Sequence, residues 1–512
     1  MMCNTASAQA DADFPSVSFH GFGTLGVAHS TENKADFLAH DLQARGAGLS
    51  RAWSPDVDSR LGAQLNANFT SQLSGVLQVV AEQRHDATYR PRVEWSNLKY
   101  EFTPDLSIRA GRIVLPILMV SDSRKVGYAQ PWVRPPVELY SLIPLTSSDG
   151  IDLSYRMHLG EVNNTLQIGI GGTSADTPDG GEAISKDGWL ISDTVEYGDA
   201  SFHFAYSRSK LTVEPFKVLF DGFREYSANA AQLAQTAAVM LPPGHPLATR
   251  AAAEASRANA VAEKYDPDSK RLSIISVGGS YDPGDWFIMA EWAQTDNKSV
   301  YGKRQGWYAT GGYRFGAFTP YLSYAEAKLK SRQNDPGIAA LPVGTPFDAA
   351  VVPLNMGAAA LSAELNEQLS GAAKQKTISL GVRWDFARSA ALKLQYDRSH
   401  IGSGSTGTLD HAMPDFRPGG KFEVFSTTVD FVFKGARNHV FLKTNSNLHG
   451  RHRPEPCCAN LPGRSRARGF GEKQCKQPER QPGDGYLPWQ DKPIPQRRTG
   501  DTARSGRRLA YP

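Results

Sequence analysis

Sixteen short runs along this chain alternate apolar or aromatic residues with polar or small ones. A period of two is the signature of a half-buried strand. In the first run Val17, Phe19, Gly21, Gly23, Leu25 and Val27 share a face, and in the second Leu61, Ala63, Leu65, Ala67 and Phe69 do. Trp307, Ala309, Gly311, Tyr313 and Phe315 repeat the pattern, as do Phe425, Thr427, Val429, Phe431 and Phe433. The runs fall near 17–30, 59–70, 73–84, 93–102, 106–114, 150–157, 164–172, 188–197, 201–213, 271–281, 285–297, 305–315, 318–329, 375–386, 390–400 and 421–433. The chain is therefore read as all-β, with about 16 strands.

The connections say how those strands are joined. Short ones at 71–72, 103–105, 198–200, 282–284 and 316–317 alternate with long ones at 31–58, 115–149, 214–270, 330–374 and 401–420. An up-and-down antiparallel barrel with two unlike rims produces that alternation. A soluble sandwich also alternates, but it packs its apolar face inside. Two features favour a transmembrane barrel. The runs are about 9 to 13 residues long, enough to cross a bilayer at a tilt. Aromatic pairs flank the short turns, Tyr197 with Phe202, Tyr281 with Trp286 and Phe315 with Phe318, as a girdle at one membrane interface requires. A helical membrane protein does not fit. Mean hydropathy is −0.40, and no stretch approaches the roughly 18 to 20 apolar residues of a spanning helix. Ala-rich stretches at 228–240, 250–264 and 356–373 read as short solvated helices on the long outer loops.

Charge and cysteine divide the chain near residue 433. Residues 434–512 hold 17 Lys or Arg against 6 Asp or Glu, which leaves 39 against 46 in residues 1–433. Cys457, Cys458 and Cys475 lie in the same tail, Cys3 lies near the start, and residues 4–456 contain none. A disulfide framework or a Cys-ligated metal site in the body is thereby excluded. The tail has no strand or helix period and is dense in Arg, Pro, Gly and Gln, so it cannot offset its ordering entropy by burial. We expect 434–512 to be a disordered basic tail of read-through or frameshifted origin. It has no repeats and no clean basic run, so nucleic acid is not an expected partner. At the other end, Ala8-Gln9-Ala10 fits a signal-peptidase site, and 1–10 is read as the remnant of a signal peptide before a barrel over 11–433.

Three segments carry a resemblance. Residues 106–140, LSIRAGRIVLPILMVSDSRKVGYAQPWVRPPVELY, resemble the fifth strand and inward-folding third loop of Gram-negative outer-membrane porin-like proteins. GLSRAWSPDVDSRLGAQL (48–65) is similar to their second strand and its approach, and STTVDFVF (426–433) to their C-terminal strand. The resemblance spans about 16–433. It implies a barrel of the 16-stranded general porin type with long extracellular loops, in the cell outer membrane. The implied function is a water-filled channel for passive diffusion of ions and small hydrophilic solutes. The implied partners are outer-membrane lipid and lipopolysaccharide, the outer-membrane assembly machinery and two further copies in a homotrimer. Phe431 and Phe433 would form the aromatic assembly signal, although Phe433 is not the last residue of this chain.

A pore needs polar side chains on the face opposite lipid. Leu106, Ile108 and Ala110 facing lipid turn Arg109 inward, while Arg112 breaks the parity and is placed at the rim or inward after a bulge. The inward set elsewhere includes Gln64, Asn66, Asn68, Gln78, Glu82, Arg383, Lys393, Gln395 and Asp397, among which Asn66, Gln78, Glu82, Arg383, Lys393 and Asp397 are expected to line the pore. Loop 115–149 adds Asp122, Arg124, Lys125, Arg134, Glu138 and Asp149, stiffened by Pro116, Pro131, Pro135 and Pro136. Arg109 and Arg112 facing that loop's Asp122, Arg124, Lys125, Arg134 and Glu138 would form a charged constriction able to select among ions. An enzyme is not expected. The histidines are scattered, and no G-x-S-x-G, H-E-x-x-H, P-loop, cofactor or metal motif occurs. An adhesin-type surface barrel that binds through its large loops is the alternative.

Overall fold

The computed structural model describes residues 14–330, 334–370, 374–435 and 438–439. The expected leader remnant at 1–10 and the tail beyond 439 lie outside the described residues.

Sixteen long antiparallel strands form one closed sheet. They are β1 (Ser16–Ser30), β2 (Arg60–Asn68), β3 (Leu73–Glu82), β4 (Arg92–Glu101), β5 (Leu106–Val114), β6 (Ser147–Leu159), β7 (Val162–Asp176) and β8 (Glu182–Tyr197). The second half is β9 (Ala200–Val213), β10 (Lys270–Tyr281), β11 (Trp286–Asn297), β12 (Lys303–Tyr313), β13 (Phe318–Leu329), β14 (Gln375–Ala387), β15 (Ala390–Ile401) and β16 (Gly420–Lys434). Each strand pairs with the next in sequence. The ring closes because β1 pairs with both β2 and β16, with Gly21 opposite Ala63 on one side and Phe433 on the other. Closure leaves no unpaired edge for lipid to meet.

Burial is inverted relative to a water-soluble protein, and this settles barrel against sandwich. Leu25 is 66% exposed, Ile170 62% and Leu380 59%, whereas Lys393 and Asp430 are wholly buried. Apolar side chains outside and polar ones inside are what a lipid solvent demands. Aromatic rings ring the short-turn rim, where Tyr281 contacts Trp286 with centroids 5.4 Å apart and Phe318 stacks on Trp384 at 5.6 Å.

Two features of the rims differ from the sequence expectation. Three outer connections are short, 83–91, 177–181 and 298–302, so short and long do not alternate strictly. The Ala-rich stretches are also not short solvated helices. They form α1 (Lys217–Met240), α2 (Pro246–Tyr265) and α3 (Asp348–Ser370), which pack into one body. Pro246 opens α2 at a position whose N–H needs no partner, and the ring of His245 accepts from the Leu247 N–H. Phe220, Phe223, Ala258 and Leu365 make one core of this cap, and Ala237, Leu247, Ala251 and Val351 another. Small alanines permit the close helix approach that a solvated reading of the same composition misses. Past β16, Asn438–His439 pair with Ser16 and Val17, so backbone pairing runs a little beyond Phe433.

Candidate pore constriction

The segment 115–146 leaves β5, folds into the lumen and returns to β6. Nothing in its sequence makes a regular element beyond single turns at Ser121–Ser123, Gly127–Ala129 and Val137–Tyr140. The barrel wall therefore supplies its hydrogen-bond partners. The Ile117 carbonyl accepts from Ser276 Oγ and from His203 Nε2 at 3.3 Å, and Met119 N donates to Glu291 at 2.7 Å. Trp132 Nε1 donates to Thr310 Oγ1 at 3.0 Å, and Val133 N to Gln395 at 3.1 Å.

Several expected pore residues turn out to be anchors of this loop. Lys393 is wholly buried and spends its ammonium on the Gly127 and Trp132 carbonyls, each at 2.7 Å, and on Asp430 at 2.8 Å. Asp430 also accepts from Thr24 Oγ1 at 2.5 Å. A buried pair of this kind holds only when every donor and lone pair is matched. Gly127 is required here, because a Cβ at that position would collide with Asp430 and Thr24. Arg134 is 4% exposed and grips Asp58 through Nε at 2.8 Å and Nη2 at 2.6 Å, with Asp397 at 3.4 Å. Glu138, 1% exposed, accepts from Gln375 at 2.8 Å and from Thr377. Burial pushes the Glu138 carboxyl up, against the pull of those donors. Arg383 pairs with Asp385 and donates to the Tyr128 and Gln130 carbonyls at 2.7 and 3.0 Å. Arg124 ties the loop to itself, donating to Tyr140 O at 2.8 Å and Ile143 O at 2.5 Å.

Besides these seats on the β9–β16 half of the wall and on β1, the loop meets β3 through Lys125 and β4 through Thr146. Arg109 on β5 faces inward and forms a bidentate pair with Asp152 on β6, Nε lying 2.9 Å from Oδ1. Asp122, exposed at the tip of the Ser121–Ser123 turn, is the other charge that Arg109 feels. Above them Lys125 pairs with Glu82, and Arg60 and Arg124 act on the same neighbourhood. Gln78 donates to Gln64 at 2.7 Å, and Gln64 to Asn66 at 2.8 Å, continuing the polar wall on β2 and β3.

Arg112 is the exception. The pairing of β5 with β6 runs from Leu106 to Val114 without a register shift, and residues 109 and 112 are an odd number apart. They point to opposite sides of the sheet. Arg112 pairs with Asp149 at 2.8 and 2.7 Å on the outward face that carries Ile151 and Leu153, so the constriction expected of it is corrected. Asp152, Asp58 and Asp430 were missed by the sequence reading. Strict parity would have turned Asp430 inward, since Val429 and Phe431 face lipid. Phe431 and Phe433 lie on the outward face over Gly23 and Gly21 of β1.

The profile of the Gram-negative porins matches residues 145–404, half of the chain. The chain belongs to the Gram-negative porin family. This porin is an outer-membrane diffusion channel with no catalytic role. No curated protein matches the chain. Among solved structures it is similar to an anion-selective porin from Comamonas acidovorans, at 14% identity and TM-score 0.44, covering 82% of this chain and 100% of that one. It is also similar to Salmonella typhi OmpF in complex with daunomycin, at 14% identity and TM-score 0.45, covering 81% and 97%. The outer-membrane channel DcaP of Acinetobacter baumannii matches at 13% identity and TM-score 0.44, covering 82% and 97%.

Proposed function

We propose that this porin favours small anions and anionic solutes. The observation that carries the reading is the outer approach to the constriction, where Arg60, Arg124 and Lys125 gather about Glu82, and Glu94, the further carboxylate near Arg124, is 5% exposed and tied to Thr146. Arg124 donates to carbonyls, which orient its charge without cancelling it. Below this cluster Arg109 is balanced by Asp152 and Asp122. Fixed cations in a narrow aqueous bore raise the local concentration of anions and lower that of cations. Asn66 and Glu82 belong to the water-facing wall in this reading, whereas Gln78, expected to line the pore, is 2% exposed and holds Gln64 instead. Lys393, Asp397, Arg134, Glu138 and Arg383 set the width of the bore by holding the loop.

The resemblance supports a homotrimer, assembled through an aromatic signal at Phe431 and Phe433. The outward Arg112 near the outer rim suits a lipopolysaccharide phosphate. Reversal potentials in a potassium chloride gradient across planar bilayers test the central reading. Chloride should be preferred, and Arg60→Gln with Lys125→Gln should move the potential towards potassium. A cation-preferring parent channel would overturn it.

A further inference from the structure

We propose that the outer vestibule holds a docking site for amphipathic carboxylates, with the carboxylate on Arg90 and Arg92 and the apolar body on a floor beneath them. This rests on the anion-favouring reading and narrows it to a class of solute. An open recess lies between the outer ends of β3, β4 and β7 and the returning limb of the lumen loop. Its carboxylates are already engaged. Glu82 takes Lys125, Asp176 takes Arg84 at 3.0 Å, and Glu94, 5% exposed, accepts the Thr146 hydroxyl.

Two guanidinium groups remain. Arg90 lines the recess, is exposed, and has no hydrogen-bond or ion-pair partner among the described residues. Arg92 donates only to the Ser174 carbonyl at 3.3 Å. Residues two apart on an extended segment lie about 6.6 Å from each other on one face. Two planar forks at that spacing match a carboxylate better than point charges would. Leu42, Val80, Pro144 and Leu145 supply the other half of the wall. An inorganic anion would use the arginines alone. A short-chain carboxylate uses both surfaces, and each methylene it buries strengthens binding.

The test uses the full chain in planar bilayers, with chloride current read while hexanoate, acetate or inorganic phosphate is added from the outer side. Hexanoate should reduce the current saturably at concentrations at least about tenfold below acetate, since the two share a head and differ in the buried chain. Arg90→Gln with Arg92→Gln should abolish that block, and Leu145→Ser should bring hexanoate close to acetate. Heat-modifiable mobility confirms that each variant has folded. Equal potency of hexanoate and acetate, or a block unchanged in the arginine variant, overturns the site. Phosphate blocking as strongly as hexanoate also overturns it, leaving a purely ionic site. Chloride preference without any carboxylate separates the two readings. If it is absent in the parent channel, the anion reading fails. If it is present without hexanoate block, only the docking site fails.

Discussion

The ring of Phe433 lies flat over the bare backbone of Gly21, across the seam where the last strand meets the first, and Phe431 covers Gly23 in the same way. A side chain at either glycine would occupy the space the ring now fills. Aromatic rings laid over strand glycines fix register at a closing seam. Gly21→Val and Gly23→Val should each cost about 1–3 kcal/mol by overpacking. The measurement is the temperature at which folded, fast-migrating protein converts to the slow form in gel electrophoresis. It should fall for both variants and stay put for a valine on the outward face of β10.

The same seam predicts the outcome of shortening the chain. Removing everything after Phe433 keeps the pairing from Gly21 with Phe433 to Ser30 with Val424, and loses the rung of His20 with Lys434, the Gly435 N–H donated to the Phe19 carbonyl at 2.8 Å, and the pairing of Ser16 and Val17 with Asn438–His439. The truncated chain, expressed behind an intact signal peptide, should reach the outer membrane at least as well as the full one. Surface protease resistance checks this, and a truncated chain that fails to assemble would make the tail structural.

Lys393 offers a test of what sets the bore. Lys393→Met strands Asp430 in a dry site, a loss of about 3–5 kcal/mol for such pairs. The cost falls on the loop's seat, because the strand ladder is untouched. Single-channel conductance should rise and become noisier, while heat-modifiable mobility stays that of a folded barrel. Adding Asp430→Leu should restore steadier steps, since no lone charge then remains buried.

His411 gives the outer rim a dependence on pH. It joins loop 402–419 to loop 31–59 by meeting the buried Asp36 at 3.2 Å. The hydrogen bond to Asp36 raises its pKa above the usual histidine value, with Asp410 and Asp179 adding to the effect. Burial pushes Asp36 up, but His411 and Ser50 hold it below the usual carboxylate range. A histidine raised on folding adds stability that is full below its unfolded pKa and lost as pH rises through the folded one. Backbone amides near Phe37 and Leu409 should therefore exchange faster, beyond the intrinsic rise, as pH climbs past neutral. His411→Asn should remove this excess and cost about 1 kcal/mol locally at pH 6.

The strands were legible because one face meets lipid and the other water, which writes the period into nearly every run from Val17 to Phe433. Arg109 was legible for the same reason, and Arg112 was misplaced only where parity was set aside. The loop's seat was not legible. Lys393 meets Gly127 across 266 positions of sequence, and nothing local distinguishes a lysine that anchors a loop from one that lines a pore. The helical cap failed in a related way. Each Ala-rich stretch declares a helix, but that Val351 of one loop completes a core begun by Leu247 and Ala251 of another depends on the barrel placing the two loops side by side.

Because the lumen loop is held by side chains and the wall by backbone pairing, circumference and bore answer to different parts of the sequence. Sixteen strands fix the first whatever their side chains. The second can be retuned by exchanging a few residues such as Lys393, Arg134 or Glu138, without disturbing a single rung of the ladder. A lineage carrying this barrel can thus alter what passes through its envelope in small heritable steps, each one leaving a molecule that still inserts and closes.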